Sequence, residues 1–345
     1  MILNASKEIP TMWFEMLTGF REESGQQVRS QLMLDGDTLT SRANERTMRC
    51  GRLETPTLAE LRSRVTEVES TSGKTRLREV VADVQALHAD SENAGAMFQV
   101  ASQFNLLEMV SPSVSPEDGI AGYEYDRTQG PACAIACGAG TIYRNYFVDV
   151  GGQPGQPGQT ADRQIDCLAD IGRAFGNDGD RLWAMRNGYA LATEEGLREI
   201  SSRLSAMDVK GRDELRSQLR IGIQWDTQVT LNDASHLVSQ VYGSALPVAY
   251  SSHSSDLWSA FGQLILEASY EAALLVGVLN ALKTAKHTVY LTLLGGGAFG
   301  NADSWISGAI RRALKIVAAY GLDVGIVSYG QSKPLVQNLV RDWQQ

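Results

Sequence analysis

The chain has 345 residues, 43% hydrophobic and 21% charged, an ordinary globular composition long enough for one large domain or two smaller ones. A formal charge of −9 with no block of Lys and Arg excludes a partner held by phosphate neutralisation, so no nucleic-acid role is expected. Met1 to Pro10 lacks the basic start and apolar run of a signal peptide, and the longest uncharged apolar stretch, Ala272 to Leu282, falls short of the roughly 18 residues of a membrane span. No membrane contact is expected. Cys50, Cys133, Cys137 and Cys167 make no disulfide framework and no zinc spacing, which suits buried thiols in a reducing, cytoplasmic setting.

Residues 1–70 read as an N-terminal extension packed on a core formed by 71–345. Thr11 to Phe20 has apolar residues at helical spacing, a Glu-Glu-Ser-Gly break precedes Val28 to Leu34, and Leu34-Asp-Gly-Asp-Thr38 reads as a hairpin turn into extended chain at Thr38–Arg42. Thr57-Leu-Ala-Glu60 is a capping box that predicts a helix over about Leu58–Val68. Leu77 onward predicts a strand ending near Asp83, and Ala96–Ser102 a second one ending at Gln103-Phe104-Asn105. Ligands of open α/β sheets bind beyond the carboxyl ends of the strands, so Asp83 and Asn105 fall where a ligand would lie, although both residues also suit simple turn capping.

Ser111 to Gln129 is a long loop carrying Glu117, Asp118, Glu124 and Asp126, with two tyrosines that argue for order. Gly130 to Gly140 is a run of small residues opening a helix, which permits close approach of a ligand or of a neighbouring element. Gly151 to Gln159 is a Gly/Pro/Gln loop, and helices are expected at Thr160–Phe175, from Thr193 to about Leu204, and at Arg212–Leu219, as a helical insertion near 160–220. Ile221–Leu231 reads as extended, Gln240–Tyr250 as a strand interrupted by Pro247 and hence edge-like or irregular, and Trp258–Leu282 as a helix packed on the sheet. His88, His236, His253 and His287 form no i, i+4 ligand pair, so no metal site is expected.

The most distinctive stretch is Val289–Leu294, a strand apolar on both faces, followed by Gly295-Gly-Gly-Ala-Phe-Gly-Asn301 and a helix from about Ser304 to Tyr320 that Asp303 can cap. Glycines let the backbone approach a ligand with its N–H groups outward, and a helix start adds partial positive charge, so this turn suits a diphosphate. Gly295-x-Gly297-x-x-Gly300 also fits the dinucleotide fingerprint, but only the strand Asp323–Ser328 and one helical segment follow, with no acidic residue at the strand's end. A tight turn without a ligand is the plain alternative.

In this order the pieces resemble the macrodomain family, the α/β fold that binds ADP-ribose. Val81-Ala-Asp83-Val84 is similar to its adenine-binding motif, Phe98 to Leu107 around Asn105 to its distal-ribose segment, and Gln129-Gly130-Pro131-Ala132-Cys133 to its glycine loop. Gly295-Gly296-Gly297-Ala298-Phe299-Gly300-Asn301 resembles the second phosphate loop in its poly(ADP-ribose) glycohydrolase form. The resemblance covers roughly 75–335 and implies a three-layer α/β/α fold with a mixed central sheet, with Asp83 and Val84 at adenine, the two loops at the diphosphate, Phe299 against a ribose and Asn105 at the distal ribose. The glycohydrolase double glutamate is absent from Gly130-Pro131-Ala132, which argues against that mechanism. The acidic loop retained before it resembles a divergent branch, known from a bacterial effector, that removes ADP-ribose from arginine, including on ubiquitin.

What the resemblance implies is a hydrolase of ADP-ribosyl-arginine that needs no cofactor and acts on a modified protein, ubiquitin among the candidates. Cleavage at an anomeric carbon calls for a carboxylate to activate water, and Asp126 and Asp118, with Glu124 third, are the candidates; an ordinary solvated acidic loop is the plain alternative. The same pocket without turnover would be an ADP-ribose reader, and poly(ADP-ribose) cleavage is a further reading. A nicotinamide-dependent oxidoreductase would need a βαβ unit for which the C-terminus lacks room.

Overall fold

Apolar strands covered on both faces pair in parallel, and five here do so: Leu237–Gly243, Met97–Ala101, Thr288–Leu291, Asp323–Ser328 and Arg76–Val81, side by side in that order. The computed structural model describes residues 13–67, 73–151 and 156–345. Gly222–Gln228 extends the row beyond Leu237–Gly243 in the opposite direction, and Arg52–Glu54 closes that edge antiparallel to it, giving a mixed sheet of seven strands. Arg52–Glu54 belongs to the stretch read as an extension, yet it is a strand of the main sheet.

Helices cover both faces, as the fold class requires. Ser255–Thr284, 30 residues long, packs on one face together with Asp303–Ile316, Leu58–Thr66 and Glu194–Ala206. Gly277 brings it close: a methyl there would stand 2.7 Å from Val289 Cγ2. An 18-residue window of this helix reaches a mean hydropathy of 1.4, long and apolar enough by length and composition to cross a membrane although its uncharged run is only Ala272–Leu282, and 89% of the window is buried against the fold. The other face carries Val84–Ala89, Gln129–Ala136 and Gly138–Tyr146, with the His88 ring stacked on Phe98 at 3.7 Å.

Local signals fare unevenly. The Thr57 capping box is present and starts Leu58–Thr66. The hairpin at Asp35–Thr38 pairs Leu32–Asp35 with Thr38–Ser41, and the chain breaks at Glu22–Ser24 as expected, but Ser24 then caps a helix, Gly25–Gln31, that was not foreseen. Ala302 rather than Asp303 is the cap of Asp303–Ile316, so Asp303 acts only through its charge in the first turn. Leu237–Gly243 is an interior strand, not an edge: it ends before Pro247, so the missing N–H never enters the ladder. Thr160–Phe175 is helical only over Ala169–Phe175, Thr160 instead bridging Arg163, and Trp183–Arg186 pairs with Tyr189–Ala192 in a hairpin inside the expected helical insertion. The turn is Asn187-Gly188, both at positive φ, +47° and +79°. Thr11, the end of Leu58–Val68 and part of the Gly151–Gln159 loop lie outside the described residues.

The N-terminal segment is helix Trp13–Thr18, helix Gly25–Gln31 and the three-stranded sheet Leu32–Asp35, Thr38–Ser41, Thr47–Arg49. Its buried Phe14, Leu17, Val28 and Leu39 form a second core shared with Ile120, Tyr123, Ile142 and Tyr146.

Candidate functional site

At the C-terminal ends of the parallel strands lies a cavity of about 1080 Å³. It opens because two neighbours splay: Met97–Ala101 and Thr288–Leu291 pair only at Met97/Val289 and Phe98/Tyr290. A side-chain amide replaces the missing rungs. Gln129 Oε1 accepts from Ala101 N at 2.9 Å while its Nε2 donates to Gln99 O at 2.8 Å. Gly130 then lies so close to the strand end that any Cβ would overlap the Ala101 carbonyl, which is why glycine stands there.

Two rows of backbone N–H groups border the cavity. At the start of Gln129–Ala136, Gln129 N and Gly130 N donate to nothing among the described residues, and Pro131 has no N–H. In the glycine turn, Gly300 N donates to Gly297 O and Asn301 N to Gly295 O, while the amides of Gly297, Ala298 and Phe299 remain free among the described residues. Gly295 and Gly300 have φ of +75° and +70°, the left-handed turns that expose those three groups. Gly296 and Ala132 also line the cavity. Asn301 braces the turn from behind: it is buried, and its Nδ2 donates to Leu246 O at 2.8 Å. Asn301, Gly300 and Cys133 are not among the lining residues; the Cys133 thiol is buried and its pKa is pushed far up by burial.

Asp83 stands at one end. Its Oδ1 caps Val84–Ala89, accepting from Gln85 N at 2.7 Å, while Oδ2 has no partner among the described residues and Val84 lines the floor. At the other end stand Glu124 and Asp126. Glu124 Oε2 accepts from Trp13 N at 3.1 Å, and Asp126 Oδ1 accepts from Thr128 N at 2.8 Å, leaving Oδ2 open. Asp118 does not join them: its Oδ2 caps its own turn through Ser115 N at 2.7 Å and Ser115 Oγ at 2.9 Å, outside the cavity lining. Asn105 is also elsewhere. It is buried, with Oδ1 accepting from Leu107 N and Nδ2 donating to Gln164, because Leu106 at φ +64° turns the chain away. Arg127 and Lys333 are the cations lining the cavity, and neither side chain makes an ion pair among the described residues.

Several lining residues escaped sequence reasoning. Tyr189 comes from the unforeseen hairpin; its hydroxyl donates to Met109 O at 2.6 Å, and its ring meets Phe299 at 5.3 Å and Tyr250 at 5.2 Å. The Asn187-Gly188 pair was the signal for that hairpin. Glu108 borders the cavity under Gly130, with its carboxylate buried against Arg144 Nη2 at 3.3 Å and its backbone N–H donating to Tyr123 Oη. Burial pushes its pKa up to about 7, against the pull of Arg144. A lone acid inside Leu106-Leu107-Glu108-Met109 was the visible sign. Among the described residues no group of three or more His, Cys, Asp or Glu is placed to hold a metal ion.

No protein-family model matches this sequence, and no curated protein matches it. Among solved structures, poly(ADP-ribose) glycohydrolase from Thermomonospora curvata is similar with a TM-score of 0.47 and 11% identity, over 92% of this chain and 97% of that one. Poly(ADP-ribose) glycohydrolase from Deinococcus radiodurans in complex with ADP-ribose is similar with a TM-score of 0.45 and 13% identity, over 94% of this chain and 98% of that one. Likenesses this distant carry no argument about what the chain binds or cleaves.

Proposed function

We propose that the cavity binds ADP-ribose and that the chain hydrolyses the bond between the distal ribose C1″ and an arginine guanidinium of a modified protein. One observation carries the reading: two rows of free amides face a single cavity that ends on Asp83 at one side and on Glu124 and Asp126 at the other. A diphosphate between the rows takes hydrogen bonds from Gln129, Gly130 and Gly297 to Phe299, and places a nucleoside base toward Asp83 and a second ribose toward the acids.

The chemistry follows from the anomeric centre. The C1″–N bond breaks with its electron pair leaving on the guanidine, positive charge develops on the ring, and a water oxygen bonds to C1″. Asp126, with Oδ2 open to the cavity, accepts the water proton, which passes to the departing guanidine. Glu124 is the second carboxylate at this end and suits the guanidinium, which pairs with a carboxylate in the plane of its N–H groups. Asp118 drops out of the reacting set, since its carboxylate is spent on Ser115.

A second reading has a specific basis. Asp118 lies outside the lining, and Glu124 and Asp126 each give one oxygen to a backbone N–H, of Trp13 and of Thr128, so a pocket whose two acids are already partly engaged also suits a reader that binds without turnover. Release of ADP-ribose from arginine-, serine- and glutamate-linked substrates, ADP-ribosyl ubiquitin included, separates the two. Release from arginine alone, lost in Asp126→Asn, is the expected result. Tight ADP-ribose binding with no release from any substrate would leave the reader.

A further inference from the structure

The N-terminal segment reaches the acidic end of the cavity through one carboxylate. Glu22 Oε2 accepts from Ile120 N at 2.9 Å and Ala121 N at 2.7 Å, its Oε1 accepts from Ile120 N at 3.1 Å, and the Tyr146 hydroxyl donates to the same oxygen. Two successive backbone N–H groups on one carboxylate are charge-assisted bonds, shorter and stronger than neutral ones. The chain is shaped for this anion. Gly119 has φ +87°, and a Cβ there would stand 2.5 Å from Glu22 Oε2, so glycine leaves the space that the carboxylate fills.

A second tie comes from the same segment. Trp13 Nε1 donates to Ala121 O at 3.2 Å, and Trp13 N donates to Glu124 Oε2 at 3.1 Å. Ile120 to Asp126 is a single 3-10 turn and its flanks, since Asp126 N donates back to Tyr123 O, so fixing Ile120 and Ala121 fixes the height at which Glu124 and Asp126 stand. Behind this turn, Ile120 and Tyr123 are buried among Phe14 and Leu17 of the N-terminal core.

We infer that Glu22 is a positioning residue for the acceptor half of the site: its grip on Ile120 and Ala121 sets where Glu124 and Asp126 stand over the cavity. The inference rests on the reading that the arginine side of the substrate lies at this end. The adenine and diphosphate half is bordered by Asp83, Gln129, Gly130 and the glycine turn, none of which Glu22 touches.

The test uses the full chain with Glu22→Gln, which replaces one carboxylate oxygen with an amide that donates, and Tyr146→Phe, which removes only the hydroxyl donor. Free ADP-ribose and an ADP-ribosyl-arginine peptide are titrated by calorimetry, and release from the peptide is timed. In Glu22→Gln, ADP-ribose affinity stays at the wild-type value while release falls between about tenfold and a hundredfold, the range expected when a reacting group is displaced by about 1 Å. Tyr146→Phe falls less, in the same direction, and serves if Glu22→Gln does not fold. Equal losses of ADP-ribose affinity and of release would make Glu22 a merely structural residue and overturn the inference, as would no change in either. Should the wild type bind ADP-ribose but release none, the hydrolase reading fails and the inference is judged on affinity: it stands if Glu22→Gln loses peptide binding and keeps ADP-ribose binding, and falls if the two move together. A wild type that binds no ADP-ribose overturns both.

Discussion

Against one face of the central sheet lies the 30-residue helix Ser255–Thr284, which buries Leu264, Ile265, Leu274 and Val276. Against the other lie short helices and a chain of buried polar groups. His88 Nδ1 donates to Val84 O, His88 Nε2 accepts from Gln240 Nε2, Gln240 Oε1 accepts from Tyr242 Oη, and Tyr242 accepts from Arg144, which pairs with Glu108. Glu108 N in turn meets Tyr123, beside the acidic loop. The first face contributes mostly apolar burial, which is indifferent to direction, although the same helix also buries Glu271 against Arg62 and Arg312. The second joins the helix capped by Asp83 to the loop of Asp126 through bonds that hold in one arrangement, so it fixes the distance between the two ends of the cavity.

Breaking each face in turn should separate those roles. Glu108→Ala leaves the Arg144 guanidinium buried without its counter-charge and is expected to cost about 3–5 kcal/mol in urea unfolding. Leu274→Ala opens a void on the dry face and is expected to cost about 2–5 kcal/mol. The contrast lies in binding: folded Leu274→Ala keeps its ADP-ribose affinity and folded Glu108→Ala does not, and equal behaviour of the two would dissolve the distinction.

Acid sharpens the comparison next. Burial pushes the His88 pKa down to about 4, as its bonds require, since a proton on Nε2 would face the Gln240 amide donor. A histidine with a lowered folded pKa stabilises fully above its unfolded value of about 6.5 and loses that stability as pH falls toward 4, about 3 kcal/mol in all. Glu108 works in the opposite sense: raised to about 7, it stabilises most below its unfolded value near 4.5 and loses that stability as pH rises toward 7. Thermal melts of His88→Gln should therefore show stability rising from pH 6.5 to 4.5, whereas the two slopes oppose each other in the wild type. A variant that follows the wild-type curve would remove His88 from this account. The smallest expected effect is at the rim. Arg127→Gln should weaken ADP-ribose binding about tenfold, or ~1.4 kcal/mol, at low salt and less at high salt, measured by calorimetry with adenosine as the control that does not change.

Much of this was legible. The uncharged run at Val289, the strand Asp323–Ser328 and the glycines after Leu294 carry their structure locally, because a doubly covered strand and a turn needing positive φ each leave a mark in a few adjacent residues. Asp118 lies outside the cavity lining, and the signal for that was local as well: Ser115-Pro-Glu-Asp118 is a cap, with the carboxylate turned back on Ser115. Glu108 and Arg144 were opaque for another reason. They are 36 residues apart, and nothing near either names its partner; only the fold makes them a pair. Glu22 and Ala121, 99 residues apart, are the same case.

The amide of Gln129 completes the sheet where two strands part, so the last rung of a β-ladder belongs to a helix. Helix and strand end therefore form one cooperative unit for local opening. Hydrogen exchange at Ala101 N–H reports not the fraying of a strand but the undocking of Gln129–Ala136, and a ligand seated on the free amides of Gln129 and Gly130 slows it without touching it.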